Sequence, residues 1–177
     1  MVLEIKVPHG ADFGALRPLL PTFLSYLLSF VYVGIYWNNH HLLTSIDRIN
    51  GGVLWANPHL LFWLSMTPVA TGWMGENHFA PATLALYGFV LLMAGVAFVI
   101  LQNRLLAVNG PDSVLAHAVR NDWKGKLSPV LYCAGIAASF VSPWLAGAAY
   151  VFVALMWLAP DPRIERTLAT GRSGHPG

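Results

Sequence analysis

Runs of apolar residues without any charge divide this chain into segments of membrane-spanning length. Four stretches contain no Asp, Glu, Lys or Arg: 18–46, 49–75, 77–103 and 127–160. A helix rises about 1.5 Å per residue, so about 20 apolar residues cross the roughly 30 Å of hydrocarbon in a bilayer. Each of the first three stretches therefore predicts one transmembrane helix, at about 19–37, 53–73 and 83–101.

The fourth uncharged stretch is too long for a single span. Its 34 residues, 127–160, are interrupted at Ser142-Pro143, where proline removes a helical hydrogen-bond donor. We interpret it as two short spans, about 127–141 and 144–158, joined by a tight turn. The predicted fold class is an all-α integral membrane protein with five transmembrane helices. A single transmembrane domain covers 1–168, with a cytoplasmic linker at 104–126 and a disordered tail at 169–177.

The composition supports a membrane protein. Hydrophobic residues make up 56% of the 177 residues and charged residues only 10%, with a mean hydropathy of +0.56, whereas soluble domains are about 25% charged. The 10 Lys+Arg and 8 Asp+Glu nearly cancel and form no basic face, which excludes nucleic acid as a partner. The lone cysteine, Cys133, lies in an apolar segment and is predicted to be a small buried packing residue.

The distribution of Lys and Arg predicts the orientation. Of the ten, Lys6 and Arg17 precede the first span, and the others follow the first, third or fifth span: Arg48, Arg104, Arg120, Lys124, Lys126, Arg163, Arg166 and Arg172. The positive-inside rule then places the C-terminus in the cytoplasm and, with five spans, the N-terminus outside. The apolar start at 1–5 resembles the end of a preceding helix, so we expect the chain to lack a natural first span.

A polar cluster, Trp37-Asn38-Asn39-His40-His41, ends the first predicted span, and Asn57 opens the next. Consecutive histidines on a helix point about 100° apart and do not both face one metal ion. Hydrogen-bonded histidines between helices are the favoured interpretation, and a proton-sensitive contact is the alternative.

The predicted spans contain no Asp, Glu, Lys or Arg, which argues against a proton-coupled transporter and a voltage sensor. A passive path with an apolar constriction remains compatible with the sequence. Pro68 is expected to kink the second span, with Ser65, Thr67 or Thr71 satisfying the freed backbone group.

Small residues mark the expected helix contacts. Gly88 and Gly95 share a face of the third span with Ala85 and, more loosely, Leu92. The last two spans hold further small residues: Ala134, Gly135, Ala137, Ala138, Ser139 and 146–149. Such residues let helix backbones approach closely within lipid, so packing is favoured over a ligand pocket.

Several of these residues form a series of motifs that resembles a known family. The motifs are Tyr36-Trp37-Asn38-Asn39-His40-His41, Asn57-x-x-Leu60-Leu61-Phe62-Trp63-Leu64 with Pro68, Thr71 and Glu76, Ala85-Leu86-Tyr87-Gly88, and Pro160-Asp161-x-Arg163-Ile164-Glu165. In order and spacing they resemble bacterial members of the transmembrane protein 175 family of potassium channels, from Val2 to about Leu168.

The resemblance implies a six-helix subunit of a homotetramer with a leak-like, potassium-selective pore lined mainly by the first helix. Of that helix only 2–8 matches here, and the family's Phe-Ser-Asp-Gly signature is absent, so Leu3 is the one candidate pore-lining residue. The resemblance implies that five residues support the missing helix: Trp37, Asn38, His40, His41 and Asn57. We expect His40 or His41 to face its place, beside a groove along 19–37. The implied selectivity comes from a narrow apolar constriction, with K+ as the permeant ion and no cofactor.

The sequence therefore favours a subunit of a potassium channel, not an enzyme, that spans the lipid bilayer of the cell membrane several times. Two alternatives remain open at this point. One is a membrane-bound metal or haem enzyme that uses the histidines, and the other is a non-conducting scaffold subunit.

Overall fold

The computed structural model describes residues 17–44, 50–110 and 123–158, with side chains throughout except at 38–44. Five α-helices and no strand occupy these ranges: α1 (Leu20–Thr44), α2 (Gly51–Glu76), α3 (Pro81–Asn109), α4 (Trp123–Ser139) and α5 (Pro143–Leu158). The predicted all-helical fold with five helices is confirmed. Helices α1 to α3 run beyond the expected spans, whereas α4 ends before Val141. The middle of the expected linker, 111–122, and the expected tail lie outside the described residues.

The break at Ser142-Pro143 is present. Helix α4 ends at Ser139, and the Ser142 amide donates to the Ala138 carbonyl oxygen at 2.8 Å. Pro143 is the first residue of α5, a position where a helix needs no amide donor. With 17 and 16 residues, α4 and α5 are each about 25 Å long.

The turn between α2 and α3 places two non-glycine residues in the left-handed region. His78 has φ of 49° and Phe79 has φ of 59°, an outlying conformation for a bulky side chain. The Phe79 amide donates to the Met74 carbonyl oxygen at 3.0 Å, and its half-buried ring packs against the core. This packing holds the tight reversal that makes α2 and α3 antiparallel neighbours.

The other end of the same helix pair is fixed by Asn50 and Arg104. The Asn50 Oδ1 atom accepts from the Val53 amide at 3.0 Å and caps α2. A Cβ atom at Gly52 would lie 3.5 Å from the Arg104 side chain. The start of α2 therefore lies against the last turns of α3.

Consecutive helices pack side by side, and α5 returns to contact α1. Helix α3 contacts α2, α4 and α5, and its contacts with α2 and α4 are the most extensive in the bundle. Residues with no exposed surface line the middle of the bundle: Leu60, Tyr87, Ala94, Ala146, Tyr150 and Val153.

Large apolar side chains cover the outside of the bundle. Phe30 is 63% exposed, Leu54 63% and Val141 83%, which is unlike the surface of a soluble monomer. By length and hydropathy, Arg17–Trp37 and Pro81–Asn109 qualify as membrane spans, and Pro143–Leu158 is a shorter apolar helix. Five tryptophans near helix ends are also exposed, as in an interfacial aromatic belt: Trp37, Trp55, Trp73, Trp123 and Trp144.

The prediction for Cys133 was wrong, because its side chain is exposed. Its neighbour Tyr132 is 2% exposed and forms part of the inward face of α4 with Gly135. Cys133 is rotated by about 100° from Tyr132 and turns outward. An apolar neighbourhood does not mark the inside of a membrane protein, since lipid is as apolar as the core.

The prediction that a nearby hydroxyl group satisfies the backbone carbonyl freed by Pro68 was also wrong. Pro68 lacks an amide proton, so the carbonyl of Leu64 loses its helical donor. The three hydroxyl groups of the prediction donate to other carbonyl oxygens: Ser65 to Phe62 at 2.7 Å, Thr67 to Trp63 at 3.4 Å, and Thr71 to Thr67 at 2.6 Å. Helix α2 nevertheless continues to Glu76.

Small residues mark helix contacts as predicted at Gly88, Gly95 and Gly135, where a Cβ atom would meet a tyrosine of another helix. The prediction was wrong for Ala134 and Ala137, which are exposed on α4, and for Ala148, which is exposed on α5. As for Cys133, the apolar character of α4 did not reveal which of its faces turns inward.

Candidate functional site

Helix α1 presents a polar stripe to the rest of the bundle. Ser25, Ser29, Tyr32 and Tyr36 follow one another at helical spacing and are 1%, 4%, 2% and 8% exposed. The opposite side carries exposed apolar residues such as Phe30. The hydroxyl groups, and not the apolar residues, therefore identify the inner face of α1.

A cluster of three hydroxyl groups joins α1 to α2 and α3. Ser29 Oγ forms a short hydrogen bond with Thr71 Oγ1 and lies 3.5 Å from the Tyr87 hydroxyl. The Thr71 hydroxyl donates to the Thr67 carbonyl oxygen at 2.6 Å. All three groups are buried, so each depends on the others for its hydrogen bonds.

We expect Thr71→Val to lower the free energy of unfolding by about 1 kcal/mol, because it leaves the buried Ser29 hydroxyl with only the long contact to the Tyr87 hydroxyl at 3.5 Å. In Ser29→Ala/Thr71→Val both hydroxyls are absent, so the loss should be smaller than the sum of the two single losses. Unfolding in detergent, followed by tryptophan fluorescence, measures both. Ser65→Ala, which removes an exposed hydroxyl on the same helix, is the control. Strictly additive losses would contradict the pairing.

Two tyrosines connect α1, α5 and α3. The Tyr32 hydroxyl donates to the Tyr150 carbonyl oxygen at 2.5 Å, and the Tyr150 hydroxyl donates to the Leu84 carbonyl oxygen at 3.1 Å. Their rings also pack edge to face on Tyr87, with centroid distances of 6.4 Å for Tyr32 and 5.7 Å for Tyr150. Tyr132 of α4 adds a fourth ring, 6.4 Å from Tyr32. We call these four residues the tyrosine cluster.

Two glycines make room for the Tyr150 ring. A Cβ atom at Gly88 of α3 would overlap the Tyr150 hydroxyl and lie 2.6 Å from Cζ, and one at Gly135 of α4 would lie 2.6 Å from Cε1. Real Cβ atoms do not approach so closely, so both positions require glycine while Tyr150 keeps its place. The ring is thus held between two helices, which explains its full burial.

The electrostatics of the site are simple. In the described helices, the charged side chains lie near helix ends: Glu76, Arg104, Lys124 and Lys126. The described residues hold no group of three or more His, Cys, Asp or Glu that are placed to bind a metal ion. Neutral hydroxyl groups therefore supply the polar contacts in the middle of the bundle, and their contribution is to fix the positions of the helices.

Most of the site residues predicted from the sequence cannot be placed. Leu3 and the side chains of Asn38, His40 and His41 lie outside the described residues. Trp37 is 73% exposed, and Asn57 is half-buried near the start of α2. Only six residues, 45–50, separate the end of α1 at Thr44 from the start of α2 at Gly51, so the two helix ends lie at the same end of the bundle. The supporting role of these residues stays a prediction.

Sequence reasoning missed the tyrosine cluster and the Ser29 hydroxyl. One signal was present, because polar residues repeat at helical spacing within the apolar run of α1. Nothing comparable marks Tyr150, whose partners lie on three other helices.

Helices with uncharged interiors, an apolar outer surface and a rigid polar core define the class of protein: a multi-helix membrane protein. Comparison with known proteins defines its family. A profile of the family described as endosomal/lysosomal potassium channel TMEM175 matches residues 1–68. A relative named potassium channel from Chryseobacterium sp. is 50% identical over 169 residues, covering 95% of this chain and 88% of the relative. The chain belongs to the TMEM175 family.

More distant matches are also described as potassium channels. One named potassium channel from Streptomyces collinus is 27% identical and covers 89% of this chain and 82% of its own. A crystal structure described as a lysosomal potassium-selective channel TMEM175 homolog from Chamaesiphon minutus matches with a TM-score of 0.74 and 27% identity. It covers 89% of this chain and 86% of that chain. The family is one of potassium channels and not of enzymes, so an enzyme that uses the histidines is not favoured.

Proposed function

We propose that this chain is a subunit of a potassium-selective channel of the cell membrane. The observation that carries the proposal is the 50% identity to a bacterial potassium channel along 95% of the chain. The fold adds support, since its match to a potassium-selective homolog extends over 89% of the chain. The uncharged helix interiors fit passive conduction, because ion-coupled carriers place ionised groups inside the membrane.

The permeation path belongs between subunits and not through the middle of one. Within the described helices, the centre of a single copy is filled by side chains without exposed surface, among them Leu60, Tyr87 and Tyr150. Interiors packed in this way leave no room for a chain of hydrated ions. A path between copies requires an oligomer, and a homotetramer is the assembly we propose.

Selectivity in this proposal comes from a narrow apolar constriction with leak-like conduction. K+ is the permeant ion, and no cofactor takes part. Removing water from an ion at an apolar constriction is costly, and the cost depends on ion size and pore width. The pore-lining role proposed for Leu3 and the supporting role proposed for Trp37, Asn38, His40, His41 and Asn57 belong to this mechanism.

The proposed topology is a multi-pass protein of the lipid bilayer with a cytoplasmic C-terminus. Its support is the excess of Lys and Arg after the first, third and fifth spans. Arg104 near the end of α3 and Lys124 at the start of α4 are two of the residues that support this orientation.

Potassium flux from liposomes tests the function. Vesicles that are loaded with K+ and contain the purified chain should release K+ faster than loaded vesicles without protein. Release of Na+ from vesicles that contain the chain should be at least about ten-fold slower than release of K+. Light scattering in detergent gives the number of copies in the same preparation. If vesicles that contain folded, oligomeric protein released K+ no faster than vesicles without protein, a non-conducting scaffold would be the remaining function.

A further inference from the structure

The turn between α4 and α5 presents apolar side chains at one end of the bundle. Val141 is 83% exposed and Trp144 87%, the two highest values among the large apolar residues that the structure describes. Their neighbours Phe140 and Leu145 are 68% and 60% exposed. The turn between α2 and α3 differs, because its exposed residues 76–78 are polar or charged.

The two turns lie at the same end of the bundle. Helix α3 begins at Pro81 and α5 begins at Pro143. The Tyr150 hydroxyl, near the start of α5, donates to the Leu84 carbonyl oxygen, near the start of α3, at 3.1 Å. In the proposed topology this is the outer side of the membrane. One turn there has the polar surface that suits water, and the other does not.

The α4–α5 hairpin is short for a bilayer. From Lys126, the last charged residue before the uncharged stretch 127–160, α4 rises only about 20 Å to its end at Ser139. Helix α5 is about 25 Å long, whereas the hydrocarbon of a bilayer is about 30 Å thick. With the start of α4 held at the cytoplasmic face by its lysines, the turn stops short of the water on the other side.

The backbone of the turn is suited to lipid, because it forms its own hydrogen bonds. The Val141 and Ser142 amides both donate to the Ala138 carbonyl oxygen, at 3.0 Å and 2.8 Å. The Ser142 carbonyl oxygen accepts from the Leu145 amide at 3.1 Å, and Pro143 has no amide proton. Backbone groups at membrane depth must be paired in this way, since lipid chains offer no partner.

We propose that the α4–α5 turn is embedded in the outer leaflet, at the boundary between acyl chains and headgroups, and that the bilayer is locally thinner there. The side chains that contact lipid are Phe140, Val141, Trp144 and Leu145. Tryptophan prefers this boundary, and a bilayer thins around helices shorter than its hydrocarbon. Lipid is the occupant because a neighbouring copy packs against the sides of helices, whereas the turn lies at their end. The proposal rests on the topology proposed above and is independent of conduction.

Nitroxide labels on single cysteines test the depth of the turn in liposomes. Val141→Cys and Asn77→Cys are each labelled in a Cys133→Ala chain, and the native Cys133, which is exposed on α4, gives the lipid reference. A water-soluble nickel complex should collide with the Val141→Cys label at least about three-fold less often than with the Asn77→Cys label. Oxygen, which concentrates in lipid, should collide with the Val141→Cys label at least as often as with the Asn77→Cys label.

Two results of this experiment would overturn the proposal. Equal nickel collision rates at the two turns would place the α4–α5 turn in water. Low collision rates with both reagents for the Val141→Cys label would indicate contact with another copy of the chain. Neither result depends on potassium flux, so a chain that failed to conduct would still give a clear answer.

A charged substitution provides the second test. Val141→Asp should reduce the amount of folded chain recovered in liposomes at least about three-fold, because a carboxylate in contact with lipid is costly. Asn77→Asp, in the polar turn, is the matched control and should leave the recovery unchanged. Because Val141 is 83% exposed, a turn in water would tolerate aspartate, so unchanged recovery of Val141→Asp would also overturn the proposal.

Discussion

Gly88→Ala and Gly135→Ala should each lower the free energy of unfolding by about 2 kcal/mol, and Tyr150→Phe should relieve part of the first loss but none of the second. Adding a methyl group to a filled core costs about 1–3 kcal/mol, and the higher helix propensity of alanine returns at most about 1 kcal/mol. At Gly88 a new Cβ overlaps the Tyr150 hydroxyl oxygen, which Tyr150→Phe removes, but Tyr150 Cζ at 2.6 Å and Ile136 Cγ1 at 2.9 Å remain. At Gly135 the nearest atoms belong to the ring, at 2.6 Å and 3.1 Å, and remain in phenylalanine.

The measurement is a double-mutant cycle for each glycine, with unfolding in detergent followed by tryptophan fluorescence. Tyr150→Phe alone should cost about 1 kcal/mol, the value of its hydrogen bond to the Leu84 carbonyl oxygen. Gly147→Ala, on the same helix as Tyr150, serves as the control and should be neutral or slightly stabilising. Equal relief at both glycines would show that Tyr150 is not held between them as the structure has it.

Tyr32→Ala is expected to have the largest effect, a loss of about 3–5 kcal/mol in the free energy of unfolding. The substitution removes a ring that is 2% exposed and that packs on Tyr87 and Tyr132, and it leaves a cavity that the neighbours fill only in part. It also removes the hydrogen bond to the Tyr150 carbonyl oxygen. Helix α1 would then keep its contacts with α2 but lose its principal attachment to α5.

One further variant separates the contribution of the Tyr32 hydrogen bond from that of its ring, and a second compares Tyr32 with another tyrosine of α1. Tyr32→Phe keeps the ring and should cost about 1 kcal/mol, the value of a hydrogen bond. Tyr26→Ala, on the same helix but half-buried, should cost less than Tyr32→Ala, since its ring contacts only Phe30 of α1 among the aromatic residues described. If Tyr26→Ala and Tyr32→Ala proved equally destabilising, the inner face of α1 would be assigned wrongly.

These two predictions concern the same physical problem, which is how helices associate inside a membrane. Lipid chains are as apolar as leucine, so apolar burial does not favour one helix face over another. Close approach at Gly88 and Gly135, and hydrogen bonds from Tyr32, Ser29 and Tyr150, supply that preference here. Because they orient α1, they also determine which apolar face it offers to lipid or to a neighbouring subunit.

The apolar surroundings of both helix faces are also the reason why some predictions from the sequence were wrong. Tyr132 and Cys133 are neighbours in an apolar segment, yet one lies in the core and the other is exposed. Ala134 and Ala137 were expected at helix contacts and are exposed, whereas Gly135 between them receives the Tyr150 ring. Around Pro68, the hydroxyl groups that were expected to repair the helix donate to other carbonyl oxygens, and Thr71 also pairs with Ser29 of α1.

The sequence by itself determined the number of helices, their approximate bounds, the break before Pro143, the uncharged interior and the resemblance to a channel family. Each of these depends on length, hydropathy, backbone chemistry or the order of motifs along the chain. The tertiary structure alone decided which face of each helix turns inward, and it alone placed Tyr150 between Gly88 and Gly135. The reason is that these arrangements depend on contacts among residues far apart in the chain, which hydropathy along one helix does not specify when both the core and the lipid are apolar.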